Sequence, residues 1–298
     1  ILCQGRGAKF RFIRQYSQEF RVSAMCRVLQ VSKSGYYAWV NRPMSQRAET
    51  NARLVNEIRT TYAENRKAYG SPRIHIALQK KGILCGHNRV ARLMRANYII
   101  AQRQFRRKRH GATAHGRNLA MNLVNRNFCV AKPNRVWASD ITVLWSGSGW
   151  LYLAVVMDLY SRRIIGWAMQ KRMTEDLTIN ALRMAVDQRK PEGKLIHHSD
   201  QGSQYSSDAF GQELTRCQIK PSMSRKGDCY DNAVVESFFK TLKAEISKED
   251  RSKTREETRS RIFEYIEVFY NRKRLHSTLG YQSPVEYERI GLTKPSVH

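Results

Sequence analysis

The pattern of hydrophobic and polar positions divides the chain into an all-helical N-terminal part and a C-terminal part in which strands and helices alternate. Apolar residues recur every three to four positions over 45–65, 73–81 and 88–96, which is the period of a helix. From residue 136 onwards, short β-rich runs are separated by helical segments. The predicted strands are 136–145, 150–159, 163–169, 194–198 and 219–223, and the predicted helices are 174–190, 206–216, 229–248 and 254–271. This order predicts a mixed α/β sheet.

A first helix-turn-helix is predicted within residues 22–41. Ala24, Val28 and Leu29 recur at helical spacing, and Ser32 is a suitable N-cap for a second helix over 33–41. The alternative is an ordinary helical hairpin with a structural role. If the motif binds DNA, the second helix would lie in a DNA groove, and its contacts would be Lys33, Ser34, Tyr36 and Tyr37.

A second helix-turn-helix is predicted where Ser71 and Pro72 open a helix, because proline suits the first turn of a helix. The following helix would bury Val90, Leu93 and Met94. Its exposed face would carry Asn88, Arg89, Arg92 and Arg95. We predict DNA contacts in this region at Arg73, Asn88, Arg89 and Arg92.

The net charge of +28 is concentrated in the helical part. Residues 1–130 contain 26 Lys and Arg against 4 Asp and Glu, whereas residues 131–298 contain 27 against 21. A nucleic acid is the natural partner of such a polycation, although a ribosome or a membrane surface would also fit the charge alone. A basic linker lies between the two parts and contains the run Arg106, Arg107, Lys108 and Arg109. The linker is either a solvated tether or a contact with DNA.

Several classes of protein are excluded by composition. The apolar runs are too short for a membrane span, which needs about 18 residues, and no signal peptide is visible, so we expect a cytoplasmic protein. The six Cys include no C-x-x-C and no His pair at a zinc spacing. We therefore expect no structural zinc and predict free thiols in a reducing compartment.

Three carboxylates stand out in the C-terminal part. Asp140 lies within the first predicted strand, Asp200 follows the fourth, and Glu236 lies within a helix. On that helix, Lys240 and Lys243 share the stripe of Glu236 and would point towards phosphates. A charge in an apolar strand needs a compensating partner, and a metal ion is one such partner. Asp158 is a competing candidate, which we interpret as supporting the metal ligands from outside the site or as paired with Arg162 or Arg163.

The three carboxylates suit phosphodiester chemistry. Two Mg²⁺ can activate the attacking oxygen and stabilise the leaving oxygen, and Mg²⁺ prefers carboxylate oxygens. We therefore predict Asp140, Asp200 and Glu236 as metal ligands, with Mn²⁺ as a possible substitute ion. Arg225 and Lys226 precede the helix of Glu236 and would either grip DNA or form a solvated loop.

Motifs throughout the chain resemble one known family. They lie at 31–39, 69–74, 137–142, 198–205 and 224–233, and in the C-terminal residues Tyr270, Asn271, Arg274, His276, Leu279, Gly280, Tyr281 and Pro284. Thirty-five residues separate Asp200 from Glu236, and Lys243 follows seven residues after Glu236. The chain thus resembles the catalytic reading-frame product of the insertion sequence 3 family of bacterial transposases, within the DD(35)E integrase-core superfamily.

This resemblance implies a ribonuclease H-like catalytic core and assigns catalysis to Asp140, Asp200 and Glu236. The implied substrate is double-stranded DNA with terminal inverted repeats. The implied reaction cuts one strand at an element end, joins it beside the other end to form a branched and later circular intermediate, and inserts the circle into target DNA. It also implies action in the bacterial nucleoid, a homodimer or higher oligomer, and the upstream reading-frame product as a possible partner. The alternatives are a DNA-binding regulator and a ribonuclease H-like nuclease.

The combined domain prediction has five segments. They are a helix-turn-helix at 1–43, a second helical DNA-binding domain at 44–100, a basic linker at 101–133, the catalytic core at 134–250, and a C-terminal helix and tail at 251–298.

Overall fold

The computed structural model describes residues 5–101, 119–225, 229–246 and 254–293. The chain forms two compact units, Ile1–Glu57 and Ile58–His298. Five of the basic residues predicted to contact DNA lie outside the described residues. They are Arg106, Arg107, Lys108, Arg109 and Lys226.

The first unit contains α1 (Arg6–Gln15), α2 (Val22–Val28), α3 (Lys33–Val40) and the beginning of α4 (Gln46–Glu64). The predicted cap of α3 is confirmed, because the Ser32 hydroxyl accepts a hydrogen bond from the Gly35 N–H at 3.0 Å. One buried cluster joins α1, α2 and α3, and its members are Phe10, Ile13, Met25, Cys26, Leu29 and Tyr36.

Two interpretations of this unit need correction. Ala24 and Val28 are exposed, and α2 buries Met25 and Cys26 instead, because it packs against α1, a helix that the sequence analysis did not identify. Tyr36 is only 4% exposed. Its ring packs edge-on against Phe10, so Tyr36 belongs to the core and is not available to a DNA groove. The other predicted DNA contacts of α3, which are Lys33, Ser34 and Tyr37, are exposed.

The second unit begins with a helical region formed by the rest of α4, α5 (Ser71–Lys80) and α6 (His87–Ala96). Pro72 lies in the first turn of α5, as predicted. The predicted buried side of α6 is also confirmed, since Val90, Leu93 and Met94 are buried. On the opposite side, Asn88, Arg92 and Arg95 are exposed and Arg89 is half-buried.

A five-stranded mixed sheet follows, as the sequence predicted. Its strands are β1 (Val136–Ser146), β2 (Gly149–Asp158), β3 (Ile164–Gln170), β4 (Leu195–Ser199) and β5 (Ile219–Met223). The spatial order is β3-β2-β1-β4-β5. The pairs β1–β2 and β2–β3 are antiparallel, and β4 and β5 run parallel to β1. Helices α7 (Glu175–Arg189) and α8 (Asp208–Arg216) make the connections to the parallel strands.

The main core lies between this sheet and the helices α7 and α8. Leu177, Ala181 and Leu182 of α7 are buried against apolar residues of the sheet. The helix approaches β3 closely at Gly166, where a Cβ atom would collide with the Ala181 carbonyl oxygen and lie 2.8 Å from the Ala185 Cβ. Glycine at this position therefore sets the distance between helix and sheet.

The last elements are α9 (Ala233–Glu245), α10 (Arg255–Phe263), a π-helical stretch (Glu264–Tyr270) and α11 (Pro284–Thr293). A 3₁₀ turn, Cys229–Asn232, precedes α9, so the helix predicted over 229–248 begins later than expected. The π-helical stretch ends at Asn271, whose amide group exchanges two hydrogen bonds with the backbone of Ile164 in β3. This exchange fixes the C-terminal elements to the edge of the sheet.

Within the second unit, the helical region is bound to these C-terminal elements. The Tyr69 hydroxyl accepts a hydrogen bond from the Leu275 N–H at 2.8 Å. Ion pairs join Arg66 to Glu264 and Lys80 to Glu286, both at 2.7 Å. None of the helices in the described part of the chain combines the length and apolar character needed to cross a membrane.

Candidate active site

Two aspartates lie side by side at the centre of the sheet. Strands β1 and β4 are parallel, and Ala138 pairs with His198. Asp140 and Asp200 each lie two residues further along. Asp200 directly follows the end of β4, and because side chains alternate between the faces of a strand, we expect both carboxylates on the same face.

The electrostatics show that these carboxylates share one site. The pKa of Asp140 is raised to about 8 by burial and by the nearby charges of Asp200 and Glu236, while the Ile141 N–H and the charge of Lys243 oppose the shift. The Ile141 N–H donates to Asp140 Oδ1 at 2.7 Å and holds the carboxylate in place. Desolvation also raises the pKa of Asp200, although part of that residue is exposed. The Gly202 N–H donates to Asp200 Oδ1 at 3.0 Å.

Helix α9 brings Glu236 towards the two aspartates. The Asn232 side chain, at the start of the helix, donates from Nδ2 to the Ser139 carbonyl oxygen at 2.9 Å. Since Ser139 precedes Asp140, this bond fixes the beginning of α9 beside the strand that carries Asp140. Glu236 itself forms an ion pair with Lys240 at 3.3 Å. The role of Asn232 could not be predicted from the sequence, because nothing in its position along the chain indicates a contact with β1.

The two histidines of β4 point to other partners. Nε2 of His197 lies 2.7 Å from the Ser139 hydroxyl, and burial lowers the pKa of His197 to about 3. His198 lies within hydrogen-bonding distance of the Ser222 hydroxyl and the Asp231 carbonyl oxygen. Both imidazoles therefore have structural partners.

Tyr205 forms part of the wall next to the aspartates. Its ring is buried against His197 and Phe210. Burial and the charges of Asp140 and Asp200 raise its pKa well above the usual range. Its hydroxyl is buried without a hydrogen-bond partner among the described residues. The sequence analysis quoted Tyr205 within a motif but gave it no role.

Asp158 is not part of this site, and its predicted partners were wrong. Its carboxylate accepts hydrogen bonds from the Asn134 and Tyr160 N–H groups and forms an ion pair with Arg189 at 3.5 Å. Arg162 donates instead to the Phe128 carbonyl oxygen, and Arg163 pairs with Glu288. Asp158 therefore stabilises the turn that joins β2 to β3.

Arg225 helps to hold the segment that precedes α9. Both its backbone N–H and its guanidinium donate to Asp231, at 2.9 Å and 3.1 Å. Arg126 makes a further ion pair with Asp231 at 3.1 Å. These bonds hold the pKa of Asp231 well below its usual range. The Arg225 side chain remains half exposed, so a DNA contact there stays a prediction.

The donor chemistry of the site fits a hard divalent cation. The ligands available are carboxylate oxygens, and the repulsion and burial that raise the pKa of Asp140 would be relieved by a bound positive charge. Among the described residues, no three acidic, His or Cys side chains already converge at metal-binding distances. Glu236 is held by Lys240, so its carboxylate would have to turn towards the aspartates.

Models of three known domains match the chain. They are an integrase core domain over residues 130–229, a second integrase core domain over 236–292, and an HTH-like domain over 49–109. Transposase InsF of insertion sequence IS3A from Escherichia coli (strain K12) is 40% identical over 286 residues, which are 95% of this chain and 99% of that protein. The chain belongs to the insertion sequence 3 family of transposases. The transposase therefore acts on DNA as a polynucleotidyl transferase, and its ribonuclease H-like core and HTH-like region are confirmed.

Other proteins resemble the transposase over much of its length. A 31 kDa protein of insertion element IS600 from Shigella sonnei, described as uncharacterized, is 42% identical over 88% of this chain and 97% of its own length. A chain of the simian T-cell lymphotropic virus intasome bound to the PP2A regulatory subunit B56 gamma has 15% identity and a TM-score of 0.47, covering 75% of this chain and 72% of its own. The HTLV-2 integrase catalytic core in complex with magnesium has 19% identity and a TM-score of 0.41. The match covers 53% of this chain and 97% of the integrase core.

Proposed function

We propose that the transposase cuts and joins DNA strands with two Mg²⁺ ions bound by Asp140, Asp200 and Glu236. The single observation that carries this proposal is that Asp140 and Asp200 each lie two residues beyond the paired Ala138 and His198, with Glu236 close enough to raise the pKa of Asp140. The alternatives of a DNA-binding regulator and a simple nuclease are not favoured, because the relatives over nearly the whole chain are transposases.

The chemistry follows from the positions of the side chains. Bound Mg²⁺, or Mn²⁺ in its place, would activate the attacking oxygen and stabilise the leaving oxygen. Asp140 and Asp200 would supply ligand oxygens already oriented by the Ile141 and Gly202 N–H groups. Glu236 would exchange its bond with Lys240 for the metal, which frees the ammonium group of Lys240 to approach a DNA phosphate.

DNA would be held by several basic surfaces of the chain. We propose contacts from the exposed face of α3, through Lys33, Ser34 and Tyr37, and from the exposed side of α6, through Asn88, Arg89 and Arg92. Near the carboxylates, the proposed contacts are Arg225, Lys240 and Lys243. The five segments expected from the sequence remain part of this proposal.

The reaction also suggests partners. Two element ends must meet before they are joined, so we propose a homodimer or higher oligomer on the terminal inverted repeats, followed by circle formation and insertion into target DNA. The upstream reading-frame product is a proposed partner, and the bacterial nucleoid in the cytoplasm is the proposed place of action.

A strand-transfer assay tests the catalytic proposal. Purified transposase, Mg²⁺ and labelled element-end DNA should give joined products, and Glu236→Gln should reduce them at least about 100-fold, because several kcal/mol of transition-state stabilisation are lost. Glu256→Gln makes the same charge change at an exposed position of α10 and should leave joining intact. Cleavage without joining would favour a nuclease, and full activity of Glu236→Gln would refute the metal assignment.

A further inference from the structure

A cavity of about 300 Å³ lies beside α9. Ser237 and Thr241 of α9 form part of its wall. Four basic residues from distant parts of the second unit also line the cavity, and they are Arg73, Arg162, Arg274 and His276. We name this cavity the arginine pocket. Its size is at the lower end of the range of small-ligand sites, about 300–1,000 Å³.

Three nitrogen atoms of the arginine pocket are buried without a hydrogen-bond partner among the described residues. They are Arg73 Nε, Arg162 Nη1 and His276 Nε2. Arg162 uses its other terminal nitrogen to bind the Phe128 carbonyl oxygen at 2.9 Å. Buried polar groups are almost always hydrogen-bonded, so three unsatisfied nitrogen atoms on residues that line one cavity indicate a missing partner.

The charges around the arginine pocket are only partly balanced by carboxylates, since Glu245 and Asp158 oppose the lowered pKa values of Arg73 and Arg162. Arg274 is paired with Glu245, whose oxygens also accept from the Tyr265 hydroxyl at 2.8 Å. Burial lowers the pKa of Arg73, and so does the charge of Arg274. Burial, together with the surrounding guanidinium groups, lowers the pKa of His276 to about 2. An anion in the pocket would relieve this repulsion and compensate the burial of Arg73 and Arg162.

We propose that the arginine pocket binds a phosphate group, with Arg73 and Arg162 as its main donors. A guanidinium presents several N–H donors in one plane, which match the oxygens of a phosphate. The hydroxyl groups of Ser237 and Thr241 would supply further donors. The phosphate belongs to a DNA strand or to a free phosphate compound, and the experiment below distinguishes these sources.

The position of the pocket favours DNA as the source. Ser237 directly follows Glu236, and successive helical positions differ by about 100° in direction. Helix α9 therefore carries the carboxylate on one side and the wall of the arginine pocket on the adjacent side. A strand bound at the carboxylates would pass near the pocket, and to this extent the inference rests on the proposed function.

The first arm of the test measures thermal unfolding with inorganic phosphate, against chloride at equal ionic strength. At about 10 mM phosphate the melting temperature of the wild-type transposase should rise by about 2–4 °C. Arg73→Gln and Arg162→Gln should abolish this rise. Arg272→Gln removes the same charge from an exposed position near Arg274 and should retain it.

A second kind of variant covers the case in which an arginine variant folds poorly. Thr241→Glu places a carboxylate in the arginine pocket, where it would imitate the phosphate. This variant should melt at a higher temperature than the wild type in chloride buffer and should show no response to phosphate. A phosphate response equal to that of the wild type would overturn the proposal.

The second arm measures binding of element-end DNA by fluorescence anisotropy in EDTA, where no strand is cut. If the phosphate belongs to DNA, Arg162→Gln should weaken binding about 5- to 20-fold and reduce the salt slope by about one. A response to inorganic phosphate alone would assign the pocket to a free phosphate compound. No response in either arm overturns the proposal, and neither arm depends on strand transfer, so failure of the catalytic proposal would be recognised separately.

Discussion

Asp140 and Asp200 occupy equivalent positions on two adjacent parallel chain segments, two residues beyond the paired Ala138 and His198. A protein stabilises two neighbouring carboxylates by protonation, by basic side chains or by cations. Here Lys243 is a basic side chain close enough to lower the pKa of Asp140, yet that pKa remains raised to about 8. The positive charge of Lys243 is therefore too small to offset the burial of Asp140 and the charges of its neighbours.

The first prediction concerns the stability of the metal-free transposase. Since the pKa of Asp140 is about 8 in the folded protein and 3.8 ordinarily, the folded protein retains a proton that the unfolded chain releases. Stability should therefore fall as the pH rises from about 4 to about 8, and then level off. Asp140→Asn should remove this contribution and raise stability by about 1–3 kcal/mol at pH 8, allowing for screening by solvent.

Thermal unfolding in EDTA between pH 5 and 9 measures this effect. Asp187→Asn, at an exposed position of α7, removes the same charge and should keep the pH dependence of the wild type. If the curves of Asp140→Asn and the wild type ran parallel over the whole range, the raised pKa of Asp140 would be wrong.

The second prediction concerns the placement of α9. Asn232→Ala removes the hydrogen bond to the Ser139 carbonyl oxygen and leaves that buried acceptor unsatisfied. We expect a loss of about 1–2 kcal/mol of stability. Strand transfer should fall at least about 10-fold because Glu236 is displaced from the aspartates, while DNA affinity should stay within about 2-fold.

Asn97→Ala is the matched control for this variant. It removes an amide-to-carbonyl bond of 2.9 Å within the helical region, between Asn97 and Leu93. Unfolding, anisotropy and strand transfer should be compared for the two variants. Equal losses of strand transfer in both would show that Asn232 has no special role in positioning Glu236.

The third prediction concerns the buried ion pair between Glu245 and Arg274, whose side chains are 5% and 6% exposed. Glu245→Ala leaves the Arg274 guanidinium and the Tyr265 hydroxyl without their partner. We expect a loss of about 3–5 kcal/mol, because an uncompensated charge remains buried. Glu286→Ala breaks the more exposed ion pair with Lys80 and should cost less than about 1 kcal/mol.

Denaturant unfolding at neutral pH measures both losses. If Glu245→Ala lowered the free energy of unfolding no more than Glu286→Ala does, the prediction would be wrong. Solvent would then reach the Arg274 guanidinium more freely than its burial indicates.

The sequence predicted most of the sheet because its signals are local. The fifth strand was predicted over 219–223 and lies at Ile219–Met223. The proximity of Asp140 and Asp200 was implied by the resemblance, because no local signal showed that β1 and β4 are neighbours. Helix α1 was missed because four of its ten residues are Arg or Lys, which weakens the apolar pattern of Phe10 and Ile13.

The contacts that the sequence could not predict join residues far apart in the chain. Arg73, Arg162 and His276 line one pocket although about 200 positions separate the first from the last. Asp158 was paired with the wrong arginines because chain proximity suggested Arg162, whereas folding brings Arg189 to it. Chain proximity indicates partners only within one helix or turn, and tertiary packing decides the rest.

The last prediction separates two adjacent tyrosines of α3. Tyr37 is 44% exposed and Tyr36 is 4% exposed, although their rings lie 5.3 Å apart. Tyr37→Ala should weaken binding of element-end DNA about 3- to 10-fold and change stability by less than about 0.5 kcal/mol. Tyr36→Ala should instead destabilise the first unit by about 3–5 kcal/mol, because it empties the space against Phe10 and Trp39.

Anisotropy with element-end DNA and denaturant unfolding should be measured on the same preparations. Tyr36→Phe keeps the buried ring, so it should retain most of the stability that Tyr36→Ala loses. A loss of stability in Tyr37→Ala as large as that in Tyr36→Ala would place both rings in the core. Unchanged DNA affinity of Tyr37→Ala, with the fold intact, would remove Tyr37 from the DNA-binding surface of α3 and leave Lys33 and Ser34 as its proposed contacts.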